Sequence, residues 1–492
     1  MSATTVSQSP FRLPWGLLLA VLVGLSIVLL PAQAGLPIAG QRMLAILAFA
    51  VIVWISETVS YEVSAIMILA LMAFLLGSAP TLADPDKLIG TKDALGMALG
   101  GFANSALALV AAALFIAAAM TQTGLDKRIA LLTLSKVGAS THRVLLGAIV
   151  VTIMLSFIVP SATARVACVM PIMMGVIAAF GVGKRSSFAG GIMILVAQAT
   201  SIWNVGIQTS AAQNLLTAGF MQKLLGQSVT WTDWLIAGAP WSLLMSAVLY
   251  WVILRVMPPE TEHIEGGKEA VRKALSELGP MTGNERKLLA IVLTLLGFWA
   301  TEGKLHAFDT ASTTLVGLAA LLMPGLGVMS WKQAQPRIPW GTVIVFGVGI
   351  SLGGAVLATG AGTWLAKLLV ANLGMEALSP FWVFAVLGAF LIIIHLGFAS
   401  ATALTSAMLP IMIALLLQLG GDINPLGMSM LLGYLVSFGF LLPINAPQNM
   451  VCIGTDTFTA RQFLRTGIWL TLIGYGLMLV FALTWWRWLG WM

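Results

Sequence analysis

Two stretches of this chain, 144–181 and 380–417, are apolar over 38 residues apart from a short polar run at the centre of each. A bilayer crossing needs about 20 apolar residues as a helix, so each stretch is too long for one crossing. Its arms, of about 16 residues, are short for two. Such a stretch is expected to enter the membrane, turn at its polar run and leave on the side it came from, as a re-entrant hairpin. Non-helical backbone at membrane depth is tolerated only where it is buried in protein or lines a cavity. Two such turns therefore predict a helical membrane bundle with an interior site.

The rest of the chain agrees. Apolar runs at 14–30, 43–58, 62–79, 104–122, 186–207, 233–257, 288–302, 310–328, 339–358, 427–445 and 466–485 predict about eleven further spans. They are continuous, whereas a membrane barrel alternates with period two. Only 9% of the 492 residues are charged, against about 25% in a soluble domain, so lipid is the expected surroundings. The run from Trp15 to Leu30 lacks a small-residue cleavage site followed by a polar mature sequence, and it reads as the first span rather than a signal peptide. Cys168 and Cys452 both lie in apolar segments without metal-ligand spacing, which points to packing.

The net charge of +7 is dispersed over loops and reports topology, not nucleic-acid binding. Lys127, Arg128, Lys136 and Arg143 precede the first hairpin, and Lys184 and Arg185 follow it. The loop 258–287 carries Lys268, Arg272, Lys273, Arg286 and Lys287. Cytoplasmic loops collect such residues, so both are expected inside, with the N-terminus cytoplasmic and the C-terminus periplasmic. The first hairpin then opens inward and the second outward. Leu125 to Val137 and 361–373 are expected to lie in the interface as amphipathic helices, and the tryptophans from Trp485 to Trp491 to form an aromatic belt.

The two hairpins are related. Ser161-Ala162-Thr163-Ala164 recurs as Ser400-Ala401-Thr402-Ala403, and Pro171-Ile172-Met173 as Pro410-Ile411-Met412, both 239 residues later. Ser210-Ala211-Ala212-Gln213-Asn214 corresponds to Asn445-Ala446-Pro447-Gln448-Asn449, 235 residues later. One such small-residue motif signals only close helix packing. Four matches in order at nearly constant offset predict an inverted repeat, the arrangement of many secondary transporters. The division is 1–40 as an N-terminal helix, 41–257 as the first repeat, 258–287 as a cytoplasmic linker and 288–492 as the second repeat.

At each tip a helix begins, so its first N–H groups lack partners and its dipole turns a partial positive charge outward. Ser161, Thr163, Ser400 and Thr402 add hydroxyls there. Two such tips suit an anion with a carboxylate at each end. The Gln-Asn runs predict breaks in two further helices, most firmly at Pro447, which has no N–H to donate. Arg165 is a cation placed at membrane depth, where a charge is expensive, and no acidic neighbour is evident in the sequence. A bound substrate, the interface or backbone carbonyls are its alternative partners. His395, five residues before Ser400, is a second candidate cation, or a histidine hydrogen-bonded within the bundle.

These motifs resemble the divalent anion:sodium symporter family, whose signature pairs a Ser-Asn-Thr tip with a helix break ending in Pro-Pro-Asn, twice. The segment Asn445 to Phe463 is similar to the bacterial citrate and tartrate antiporter branch. The resemblance implies a homodimer, an elevator motion and substrate contacts at Ser161, Ala162, Thr163, Ser400, Ala401 and Thr402, with Ser210, Asn445 and Pro447 from the breaks. Both motif asparagines, which help symporters to hold sodium, are alanine here, Ala162 and Ala401. Arg165 and His395 are expected to supply that charge instead. Sodium-independent exchange of a small di- or tricarboxylate in the inner membrane, with no metal or cofactor, is the expectation. Sodium-coupled symport and a related arsenite or proton-coupled carrier are the rivals. Proton coupling lacks paired membrane carboxylates, and an enzyme lacks a nucleophile–base arrangement.

Overall fold

The computed structural model describes residues 15–136, 140–179, 181–260 and 267–492. Parts of three expected elements lie outside them: position 14 of the first span, Val137 of the interfacial helix, and 261–266 of the linker. Among the described residues the secondary structure is helical, with two isolated bridges, Pro80 to Leu88 and Glu302 to His306. Nine helices are long and apolar enough to cross a membrane.

One succession of elements occurs twice. Ser105–Thr123 is followed by the interfacial Leu125–Ser135, the hairpin Thr141–Ile158 and Ala162–Ala179, the broken helix Ser187–Gly206 with Ala212–Phe220, and the long Trp231–Val256. Trp340–Ala358 leads in the same way through Ala361–Leu373, the hairpin Pro380–His395 and Ala401–Leu419, the broken helix Pro425–Leu435 with Pro447–Ile453, and Ala460–Leu483. The span expected at 427–445 is thus helical only to Leu435, and the run expected at 310–328 only over Thr310–Leu322.

Polar residues mark where these helices start. Ser140, Ser186, Thr230 and Asn424 each accept a hydrogen bond from a backbone N–H three residues on, and Thr282 and Thr459 form full capping boxes with Glu285 and Gln462. Each such cap is worth about 1 kcal/mol. Leu125–Ser135 also packs against the linker helix Gly267–Glu277. Near that contact Arg128 pairs with Glu285 at 2.6 Å and donates to the carbonyls of Leu278, Gly279 and Pro280.

The broken helices occupy the core: every residue from Phe188 to Gly206 is buried. Glycines let the long helices reach them. A Cβ at Gly238 would lie 2.6 Å from the Val205 carbonyl oxygen, and one at Gly467 would lie 2.0 Å from that of Phe440. Beyond the breaks the halves interlock. Ala212–Phe220 packs against the second half's Ala401–Leu419 and Pro425–Leu435, and Pro447–Ile453 packs against the first half's Ala162–Ala179 and Ser187–Gly206. Each hairpin tip is therefore backed by a segment of the opposite half.

Candidate functional site

The two tips are built alike. Ser161 Oγ accepts from the Ala164 N–H at 3.3 Å, and Ser400 Oγ accepts from that of Ala403 at 3.2 Å. Their carbonyls take the N–H groups of Arg165 and Leu404, both at 3.0 Å. The serines thus spend their oxygens on the first turn. The N–H groups of Ala162, Thr163, Ala401 and Thr402 have no acceptor within their helices. The hydroxyls of Thr163 and Thr402 make no hydrogen bond to the described residues.

Both tips face one cavity of ≈ 640 Å³, lined by Ser161, Ala162 and Thr163 on one side and Ser400, Ala401 and Thr402 on the other. Ala211, Ala212 and Gln213 from the first break and Ala446, Pro447 and Gln448 from the second complete the deep wall with Asn204, while Tyr61, Glu62, Arg337 and Thr342 lie farther round it. Two cavities elsewhere, of ≈ 410 and ≈ 490 Å³, have mostly apolar walls and touch neither Ser-Ala-Thr motif. A small-molecule site combines a concave wall with a few converging polar groups, and the tip cavity meets both conditions.

The breaks repair their own backbone with side chains. Asn214 Nδ2 donates to the carbonyls of Asn204 and Ile207 at 2.6 and 3.0 Å, and Asn449 Nδ2 to that of Gly439 at 2.8 Å. Ser210 Oγ donates to the Ile207 carbonyl at 2.6 Å. Asn445 accepts from the Leu442 N–H at 3.1 Å and donates to the carbonyls of His395 and Phe398 at 2.8 and 3.1 Å. Ser210 and Asn445 are accordingly buried behind the wall, whereas Pro447 stands on it.

Arg165 also lies behind the wall, 1% exposed. Nη1 donates to the carbonyls of Val159 and Ser210 at 3.0 and 2.8 Å, and Nη2 to Asn204 Oδ1 at 2.5 Å. No carboxylate pairs with it among the described residues, and its Nε–H has no partner. The guanidinium ties the first tip to the first break, and its charge sits uncompensated beside an anion-sized cavity. His395 is buried too. A carbonyl can only accept, so Nε2 donates to the Asn445 carbonyl at 3.2 Å, leaving Nδ1 unpartnered. That environment suits the neutral imidazole.

Asn204, Gln213, Gln448, Glu62 and Arg337 join the wall without having been expected there. The glutamines could be read from the sequence as marks of broken helices, but their reach across the repeat could not. Gln213 Nε2 donates to Ser437 Oγ at 3.2 Å, and Gln448 Nε2 to Ser201 Oγ at 3.1 Å.

Comparison with known proteins agrees with this architecture. The family described as sodium:sulfate symporter transmembrane region matches residues 12–492. A protein of Cupriavidus necator named "membrane protein" is 66% identical over 486 residues, covering 99% of this chain and 95% of its own. The sodium-dependent dicarboxylate transporters SdcS of Staphylococcus saprophyticus and Staphylococcus aureus are each 25% identical over 482 residues, covering 93% of this chain and 88% of theirs. Among solved structures, the YdaH transporter of Alcanivorax borkumensis has the same fold, with a TM-score of 0.58 at 14% identity over 86% of this chain and 97% of that one.

Proposed function

The chain belongs to the sodium:sulfate symporter family of membrane transporters, and from that premise we propose that it carries small di- or tricarboxylates such as succinate, malate, 2-oxoglutarate, tartrate or citrate across the inner membrane. The observation that carries this reading is the pair of Ser-Ala-Thr tips facing one cavity. Each tip offers helix N-terminal N–H groups and a threonine hydroxyl with no protein partner, donors suited to a carboxylate at either end of one molecule. The name of the SdcS relatives, dicarboxylate transporter, supports the same substrate class.

For coupling, the proposal is exchange without sodium. Arg165 supplies a permanent positive charge next to the first tip, and the alanines Ala162 and Ala401 stand where the family's sodium-binding asparagines would be. A carrier whose compensating charge cannot leave returns more readily loaded than empty. The second reading is sodium-coupled symport, supported by the sodium dependence named for SdcS. The proposal also includes a homodimer, transport by an elevator motion of the hairpins and broken helices, a cytoplasmic N-terminus and a periplasmic C-terminus.

The test is uptake of labelled carboxylate into proteoliposomes of the purified protein, preloaded with unlabelled carboxylate or empty, in sodium or choline medium. Exchange predicts uptake that needs the internal carboxylate and is equal in both media. A strict sodium requirement overturns exchange in favour of symport, and no uptake of any of the five acids overturns the carboxylate reading.

A further inference from the structure

The cavity wall is nearly two-fold symmetric. Ser161 faces Ser400, Thr163 faces Thr402, and Gln213 corresponds to Gln448. One polar group breaks the symmetry. Asn204 lines the cavity from the last turn of Ser187–Gly206, and the position 236 residues later is Phe440, buried among Phe438 and other apolar groups. Arg165, its partner, likewise corresponds to Leu404, which is fully buried. The second half replaces a polar pair with an apolar one.

The orientation of the Asn204 amide follows from chemistry. A guanidinium carries donors only, so the atom 2.5 Å from Arg165 Nη2 must be the amide oxygen. The amide nitrogen then points away from Arg165, and it has no acceptor among the described residues. The Asn204 backbone carbonyl is already taken by Asn214 Nδ2 at 2.6 Å, which fixes this part of the helix end. Arg165 itself is screened from the cavity by the first tip and by Asn204. The amide polarised by the guanidinium is thus the group that stands between the buried charge and the space where an anion would sit. A donor whose carbonyl accepts a charged hydrogen bond is itself a stronger donor, because hydrogen bonds in a chain polarise one another where the dielectric is low.

We propose that Asn204 is a substrate-binding and specificity residue: its Nδ2 donates to the carboxylate held at the first tip, and through its Oδ1 it relays the charge of Arg165 to that carboxylate. The inference rests on the reading of the cavity as a carboxylate site. It makes the two ends of the site unequal, so a dicarboxylate binds in one preferred direction and the first tip holds the more strongly ionised end.

Asn204→Asp separates relay from scaffolding. A carboxylate at 204 keeps the contact with Arg165 and strengthens it, so a purely structural role is preserved or improved. As a relay it fails, because the donor is gone and an anion faces the substrate. Binding of labelled succinate to the purified protein and exchange in proteoliposomes are measured for wild type, Asn204→Asp, Asn204→Ser and Asn204→Ala between pH 5.5 and 8. The relay predicts a KM raised at least tenfold in Asn204→Asp, with partial recovery toward pH 5.5 as that carboxylate protonates. Ser, which can accept from Arg165 and still donate, falls between wild type and Ala. A wild-type KM and pH profile in Asn204→Asp overturns the proposal. Should Asn204→Asp not give a monodisperse protein, equal KM values for the Ser and Ala variants overturn it, and a KM severalfold higher for Ala sustains it. A wild-type protein that neither binds nor exchanges any of succinate, malate, tartrate and citrate instead removes the carboxylate reading beneath it.

Discussion

Gln448 Nε2 donates to Ser201 Oγ at 3.1 Å across the seam between the two halves of the chain. Its counterpart Gln213 does the same in the other direction, to Ser437 at 3.2 Å. All four side chains are buried, so each bond is made away from bulk water. A neutral intramolecular hydrogen bond is worth about 1 kcal/mol net. Gln448→Ala and Gln213→Ala are each expected to lower the unfolding free energy by roughly that amount. In a double-mutant cycle, Gln448→Ala with Ser201→Ala should cost less than the sum of the two single changes. Thermal unfolding in detergent, followed by tryptophan fluorescence, measures both effects.

Arg165 holds three oxygens at once, and its fork geometry is what lets it do so. Arg165→Leu, which installs the residue type of the equivalent position Leu404, removes the donors of the Val159 and Ser210 carbonyls and of Asn204 Oδ1. Each buried acceptor left unpaired costs about 1–3 kcal/mol. Arg165→Lys is expected to keep the charge but not the geometry, and to reduce exchange at least tenfold. The check is exchange rate against the fraction of correctly folded protein on size-exclusion chromatography. Wild-type exchange in Arg165→Lys would show that charge alone suffices.

Serine and threonine play different parts at the tips. Ser161→Ala and Ser400→Ala each delete a helix cap and should lower stability by about 1 kcal/mol. Thr163→Val and Thr402→Val delete hydroxyls that bond to nothing in the protein. They are expected to leave stability within about 0.5 kcal/mol of wild type while raising the KM for carboxylate severalfold. Melting temperature and transport kinetics on the same four proteins separate the two roles.

The Arg128 and Glu285 pair adds a pH dependence at the edge of the membrane. Burial alone would push the Glu285 carboxyl up, but the Arg128 guanidinium and the hydrogen bonds from Thr282 outweigh it and hold the group below the ordinary carboxylate range. A carboxyl depressed in the folded state contributes stability above its unfolded pKa and loses it as pH falls through the folded value. Wild type should therefore lose more stability than Glu285→Gln on acidification from pH 7 toward 4. Parallel melting curves across that range would count against the pair's contribution.

Much of this was legible from residue order alone. The hairpins, their tips and the repeat followed from polar interruptions at matched positions, because a membrane segment cannot hide an interruption without a structural reason. Hydropathy failed at 427–445, since the residues from Val436 to Leu442 are as apolar as a helix and nothing in their transfer energy records the loss of backbone bonds. Ser210 and Asn445 were expected on the cavity wall, yet both turn to carbonyls freed by the breaks, a local competition that spacing does not reveal. Asn204 carried no signal: one neutral amide in an apolar helix is unremarkable until Arg165, 39 positions earlier, is seen to meet it.

The exchange of post-break helices between the halves bears on how the molecule is made. A ribosome delivers the first tip hundreds of residues before Pro447–Ile453, the segment that packs behind it. Until that segment is inserted, Ala162–Ala179 has no finished wall at its back, and Gln213 waits for Ser437. The cavity is thus a late product of synthesis rather than a property of either half, and the nascent first half must remain in the membrane as a folding intermediate with an unfinished polar face. Quality control that recognises exposed polar groups in lipid would act on this chain in that interval. Release from its surveillance would coincide with the arrival of the second break.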